Sequence, residues 1–226
     1  MAKVKFGMMM TDARGKLGGQ VFSKNRAGSF VRTKVTPANP NTQAQSQARA
    51  LFSAISQQWS SLTQQVRDSF DAAVQDWART DIFGDLRNPT GKNLFQRLNN
   101  QAQAAGLPPV VTLPAKLEMP DAIVSSADIS VSGESIDLQG VDTSATTQIV
   151  VFATGALSAG TKSAKNRLRQ IYASAGNTFT DTDVWTAYVD KYGAPEVGQN
   201  IQIGVKYVLA SGQASPMQVL KADITA

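Results

Sequence analysis

The chain has 226 residues, a net charge of +5, no cysteine and no histidine, a length that fits one domain or two small ones. Without cysteine there are no disulfides and no thiolate chemistry, and without histidine the commonest general base and transition-metal ligand are missing. Cys/His zinc sites and Ser-His-Asp or Cys-His catalysis are therefore excluded; no catalytic, cofactor-binding or metal-ligating residue is assigned, and the chain reads as a non-enzyme. The apolar run at 7–10 is too short for a signal peptide, and no stretch approaches the ~20 apolar residues of a membrane helix. The expectation is a soluble protein made in a cytoplasm, with no membrane partner.

Charge is unevenly spread. The first 50 residues hold nine of the 22 Lys/Arg and one of the 17 acids, which leaves 13 bases and 16 acids for the remainder. Residues 1–40 also hold Gly7, Gly15, Gly18, Gly19 and Gly28, and no helical apolar stripe. Glycines that cost backbone entropy and charges that need solvent or partners do not build a core. The stretch is read as an extended basic docking arm held in place by another molecule. Its candidate docking residues are Arg14, Lys16, Gly18, Gly19, Phe22, Lys24, Arg26, Phe30, Arg32 and Lys34.

Within the arm, 20–23 and 29–36 are strand-like, with Asn25-Arg26-Ala27-Gly28 as a turn in which Gly28 takes positive φ. Val31, Thr33 and Val35 fall on one face, and Phe30, Arg32 and Lys34 on the other. Such a hairpin is marginal alone. It either adds to a neighbour's sheet edge or packs on the chain's own helices.

Residues 41–109 read as a three-helix unit. Thr36-Pro37 and Asn39-Pro40 make a joint. Thr42 and Gln45 form a capping box for a helix with apolar positions Ala48, Leu51, Phe52, Ile55 and Trp59. Thr63 caps a second, with Val66, Phe70, Val74 and Trp77. Loop 80–88 offers Ile82 and Phe83 as anchors. Thr90 caps a third, with Leu94, Phe95, Leu98 and Ala102 inward; Gly106 and Pro108-Pro109 end it.

Residues 110–120 are extended and proline-punctuated, hence a linker. Beyond them the apolar period becomes two. Strands are expected at 128–132, 135–139, 148–154, 168–174, 199–209 and 213–221. One helix, capped by Asp181 or Thr182, carries Val184, Trp185, Tyr188 and Val189 and stops at Gly193. Residues 121–226 are thus an antiparallel β-sandwich with one inserted helix. The fold class is α+β and multidomain.

Several motifs carry no chemistry. Gly15-Lys16-Leu17-Gly18-Gly19 lacks the spacing of a phosphate loop and reads as backbone threading a tight gap. Asp121, Asp128, Asp137, Asp142, Asp181 and Asp183 lack a calcium-loop pattern, and nothing brings a catalytic pair of them together. Lys162, Lys165, Arg167 and Arg169 form a second basic run, solvated or facing a neighbouring subunit. The arm's bases, interleaved with Phe6, Phe22 and Phe30, suit an acidic protein surface; single-stranded nucleic acid is the alternative.

A series of motifs adds a resemblance. Gly15-x-x-Gly18-Gly19-x-Val21-Phe22, Gly28-x-x-Val31-Arg32, Asn39-Pro40-x-Thr42-x-x-Gln45-x-x-x-Arg49, Trp59-x-x-Leu62-Thr63-x-x-x-Arg67 and Thr90-Gly91-x-x-x-Phe95-x-x-x-Asn99 occur in that order. From Gly15 to Pro120 the chain resembles virion structural proteins of tailed bacteriophages, of the crAss-like and Bacteroidetes-phage type. In pattern, 121–226 is similar to the immunoglobulin- or fibronectin-like module that follows in such proteins. The resemblance implies a virion location and a structural role without catalysis: an auxiliary or decoration capsid protein, or else a head–tail connector or tail component. Its implied partners are major capsid or connector subunits in a symmetric assembly of many copies. A DNA-binding accessory protein using the basic arm is the reading from another class.

Overall fold

The computed structural model describes residues 2–5, 7–8, 12–26, 28–80, 86–119 and 124–225. Phe6, Ala27, Ile82, Phe83 and Asp121, singled out above, lie outside them. The chain divides into two compact units, Met1–Gln47 and Ala48–Ala226.

In the first unit the expected arm is folded on itself. Strands β1 (Ala2–Lys3), β2 (Gly15–Leu17), β3 (Gln20–Asn25) and β4 (Gly28–Thr33) form a four-stranded antiparallel sheet in the order β1-β4-β3-β2. The β3–β4 hairpin closes where Asn25 pairs with Gly28, and Gly28 has φ 106°, as its place in the turn requires. The sheet is larger than the pair of strands expected, because Gly18-Gly19 makes a two-residue hairpin loop between Leu17 and Gln20, with Gly18 at φ 55°. A Cβ at Gly18 or Gly19 would meet nothing within 4 Å, so within the chain these glycines turn the backbone and thread no tight gap.

Helix α1 (Gln43–Ser61) begins in the first unit. The Gln45 amide donates to Thr42 Oγ1 at 3.4 Å, the first half of the expected capping box. Helix α2 (Gln64–Ala72) tightens into a 3₁₀ turn at Ala73–Gln75, and α3 spans Gly91–Ala104. Trp59, Phe70 and Phe95 meet pairwise with ring centroids 5.4–5.8 Å apart, edge-on or tilted. Ile55, Trp77, Leu94 and Leu98 complete this core. Leu51 and Phe52, which share the helical period with Ile55, remain exposed. Thr63 makes no side-chain cap; instead the Arg67 guanidinium donates to the Ser60 and Leu62 carbonyls and closes the α1–α2 break. Two short strands, β5 (Arg79–Thr80) and β6 (Leu86–Arg87), pair before α3. Thr90 caps α3 through the Asn93 amide, and Gly106, at φ 74°, ends it while Leu107 N–H returns to the Ala102 carbonyl.

The β region forms a six-stranded sheet in the order β10-β9-β11-β12-β7-β8. The strands are β7 (Ser126–Ser130), β8 (Ser135–Gln139), β9 (Thr147–Ala153), β10 (Arg169–Ala175), β11 (Asn200–Leu209) and β12 (Gln218–Thr225). The architecture is α+β with four helices. It departs from a uniformly antiparallel two-sheet sandwich in two places. The end of β12 runs parallel to β7, with Ile224 opposite Ile129. The expected helix, α4 (Asp181–Tyr192), lies against β8 and supplies Val184, Trp185 and Tyr188 to the main core, on the side where a two-sheet sandwich would place its second sheet. Its cap is Thr180, which accepts from the Asp183 amide; Asp181 instead accepts from the Leu138 N–H and so closes the free edge of β8. β12 starts later than expected because Pro216, with no N–H, cannot join the ladder. Residues 213–215 are held there by an irregular bridge at Ala214.

Sheet and helices belong to one compact unit. On one face of the sheet Ile149, Val151, Ile201, Ile203 and Val205 pack with α4 and the β7–β8 hairpin. On the other, Val150 and Val208 pack with Ala105 and Leu107 at the end of α3. The stretch expected as a free linker is extended but tied on both sides. Asn99, fully buried, exchanges hydrogen bonds with both backbone groups of Val110. Gln213 does the same for Ala115 and Leu117.

Candidate docking surface

Among the described residues of the first unit none is fully buried; the most covered, including Val21, Phe22, Phe30 and Val31, are half-buried. The four strands fix 17 residues at a cost of about 1–2 kcal/mol each. Burial of a hydrophobic face normally offsets that cost, and here no described side chain on either face is fully buried.

The ladder register assigns side chains to faces, because directly paired residues point the same way. Lys16 pairs with Val21, Val21 with Arg32, Ser23 with Phe30, and Phe30 with Lys3. One face therefore carries Lys3, Lys16 and Arg32 around Val21 and Phe30. Leu17, Phe22 and Val31 stand on the opposite face with Lys24. The two faces differ in charge because Asp12, the arm's one acid, serves the second. Its carboxylate lies 3.1 Å from the Arg14 guanidinium and 4.0 Å from the Lys24 ammonium. No described carboxylate lies within ion-pair distance of Lys3, Lys16 or Arg32.

The ten expected docking residues are thus sorted by the fold. Lys16, Phe30 and Arg32 converge on the cationic face, where Lys3, outside the expected set, joins them. Phe22 and Lys24 lie behind. Arg14 is paired with Asp12. Gly18 and Gly19 form the β2–β3 loop, Arg26 sits in the turn at the other end, and Lys34 continues β4 with its N–H bonded to the Gly19 carbonyl. Lys3 was recognisable only as one more base; the β1–β4 pairing that places it opposite Phe30 has no local signal.

The arrangement supplies hydrogen-bond donors, positive charge and an aromatic ring on one face of the sheet. Among the described residues no group of three or more His, Cys, Asp or Glu side chains is placed to hold a metal ion. No described helix is long and apolar enough to cross a membrane. Comparison with protein-family models, with curated proteins and with solved structures finds no match.

Proposed function

We propose that the chain is a non-catalytic structural component of a bacteriophage particle, anchored to neighbouring subunits by its N-terminal sheet. The observation that carries this reading is a four-stranded sheet in which no described residue is buried, cationic on one face and with Leu17, Phe22 and Val31 beside Lys24 on the other. Such a sheet is stable only when something covers it. An acidic protein surface satisfies Lys3, Lys16 and Arg32, and an apolar groove or sheet takes Leu17, Phe22 and Val31. The short edge strand β2 can also accept another strand. The ordered series of motifs from Gly15 to Pro120 supports a virion setting, with an auxiliary capsid role ahead of a connector or tail role. The period-two strands of 121–226, gathered in one six-stranded sheet on a shared core, support an immunoglobulin- or fibronectin-like module as the displayed part.

One observation favours a second reading. Phe30 flanked by Lys3, Lys16 and Arg32 is also an arrangement on which a single-stranded nucleic acid can stack.

The test is assembly with residues 2–33 deleted, and separately with Lys16→Glu and Arg32→Glu together. Loss of the protein from purified particles, with the variant still folded, is the expected result. Unchanged incorporation of either variant sinks the docking reading. Retention of nucleic acid by the intact chain, weakening steeply with salt and abolished by the double substitution, replaces it with the second reading.

A further inference from the structure

A cleft of about 480 Å³ opens where the turn after α2, the middle of α3, the strap at 116–119 and the β11–β12 turn come together. That volume lies within the range of small-molecule sites. Arg79, Arg97 and Lys116 line it, with Trp77, Gln101 and one acid, Glu118. No described carboxylate lies within 4.0 Å of any of the three cations. Arg97 sets its guanidinium 5.8 Å from the centre of the Trp77 ring, and its donors meet no hydrogen-bond acceptor among the described residues. Burial, and Arg79 close by, push the Arg97 pKa down, so this charge is held at a cost that an anion would relieve. The Lys116 ammonium reaches only the Asp76 carbonyl.

Gln101 adds a fourth donor through a chain of constraint. Lys206, partly buried and 5.3 Å from the Phe152 ring centre, donates to Gln101 Oε1 at 2.6 Å. An ammonium has no acceptor, so the amide must turn its oxygen to Lys206. Its NH₂ is then the end left to bind something else. Three positive charges and an oriented amide therefore line a space whose one described acidic side chain is Glu118.

We propose that this cleft is a binding site for a small, multiply charged oxyanion of the phosphate or polycarboxylate kind. It is separate from the N-terminal sheet and does not depend on how that sheet is used. The probes are pyrophosphate and citrate, titrated into the full chain at constant ionic strength and followed by calorimetry and tryptophan fluorescence. Saturable binding is expected for at least one, and the tighter probe names the oxyanion. Lys116→Gln, an exposed change that leaves the core intact, weakens it about tenfold, as does Arg97→Gln. Glu118→Gln tightens it, and Lys16→Gln on the N-terminal sheet leaves it unchanged. Absence of saturable binding to either probe overturns the proposal. So does binding that survives Lys116→Gln but is lost in Lys16→Gln, which places the anion on the sheet instead.

Discussion

Tyr188 buries its whole side chain in the main core, yet its hydroxyl meets no hydrogen-bond partner. Burial drives its pKa up to about 12. An unpartnered hydroxyl costs desolvation and returns nothing. Tyr188→Phe should therefore leave the chain as stable or raise it by up to about 1 kcal/mol in urea unfolding; a loss of more than that reveals a bond to the hydroxyl. Asp181 is held differently. Burial raises its carboxyl pKa, the Leu138 N–H opposes that, and the nearby Asp137 adds to it. A raised carboxyl favours folding while protonated and loses that advantage as pH climbs through its folded-state pKa. Asp181→Asn keeps an oxygen for Leu138 and removes the charge. The variant should be the more stable at neutral pH, and the difference should vanish as pH falls to the ordinary aspartate value of 3.8, checked by melting temperature against pH. At this scale the sequence named Asp181 or Thr182 as the helix cap. The cap went to Thr180 because the carboxylate was needed at the open edge of β8, a neighbour 43 residues away.

Helices and strands were mostly readable because each writes its period into the chain. Ile201, Ile203, Val205 and Tyr207 alternate inward along β11, and Phe70 and Trp77 mark the buried side of the second helical segment. What joins the elements was not readable. The strap at 110–119 looks like a linker because prolines and a lack of period say nothing about side chains arriving from elsewhere. Asn99 supplies both partners for Val110 from inside α3. Asn99→Leu should strand a buried N–H and a buried C=O and cost about 2–3 kcal/mol in denaturant unfolding; an unchanged midpoint means that water reaches Val110. Gly212 shows the same dependence on distant residues. It sits at φ 73°, and a Cβ there would overlap the Leu98 carbonyl. Gly212→Ala should cost about 1–3 kcal/mol by pushing the β11–β12 turn off α3, again read from the unfolding midpoint.

For the whole molecule, stability and docking are divided between the two units. Every side chain of the hydrophobic cores comes from Ile55 onward. A chain without residues 2–33 should thus unfold in one cooperative transition, with a free energy within about 1 kcal/mol of the intact chain. A larger loss shows that the sheet supports the rest. The asymmetry of charge has the same division: the first 50 residues hold nine bases against one acid, and the remainder, with 13 bases and 16 acids, is slightly acidic. The docking surface was half legible for this reason. Lys16, Phe30 and Arg32 stood out as bases and an aromatic in a glycine-rich run, while Lys3 and the separation of two faces waited for the strand register.

The amino-acid order by itself settled the absence of Cys and His chemistry, the basic first segment, and the positions of four helices and most strands. Those depend on composition and on periods of two and 3.6 residues, which are local. The tertiary structure decided that the first segment is a sheet with no described residue buried, that α4 covers one face of the six-stranded sheet, that the strap is bound, and that three cations and an amide share a cleft. Each of these depends on residues tens of positions apart meeting in space, and no local preference encodes such a meeting.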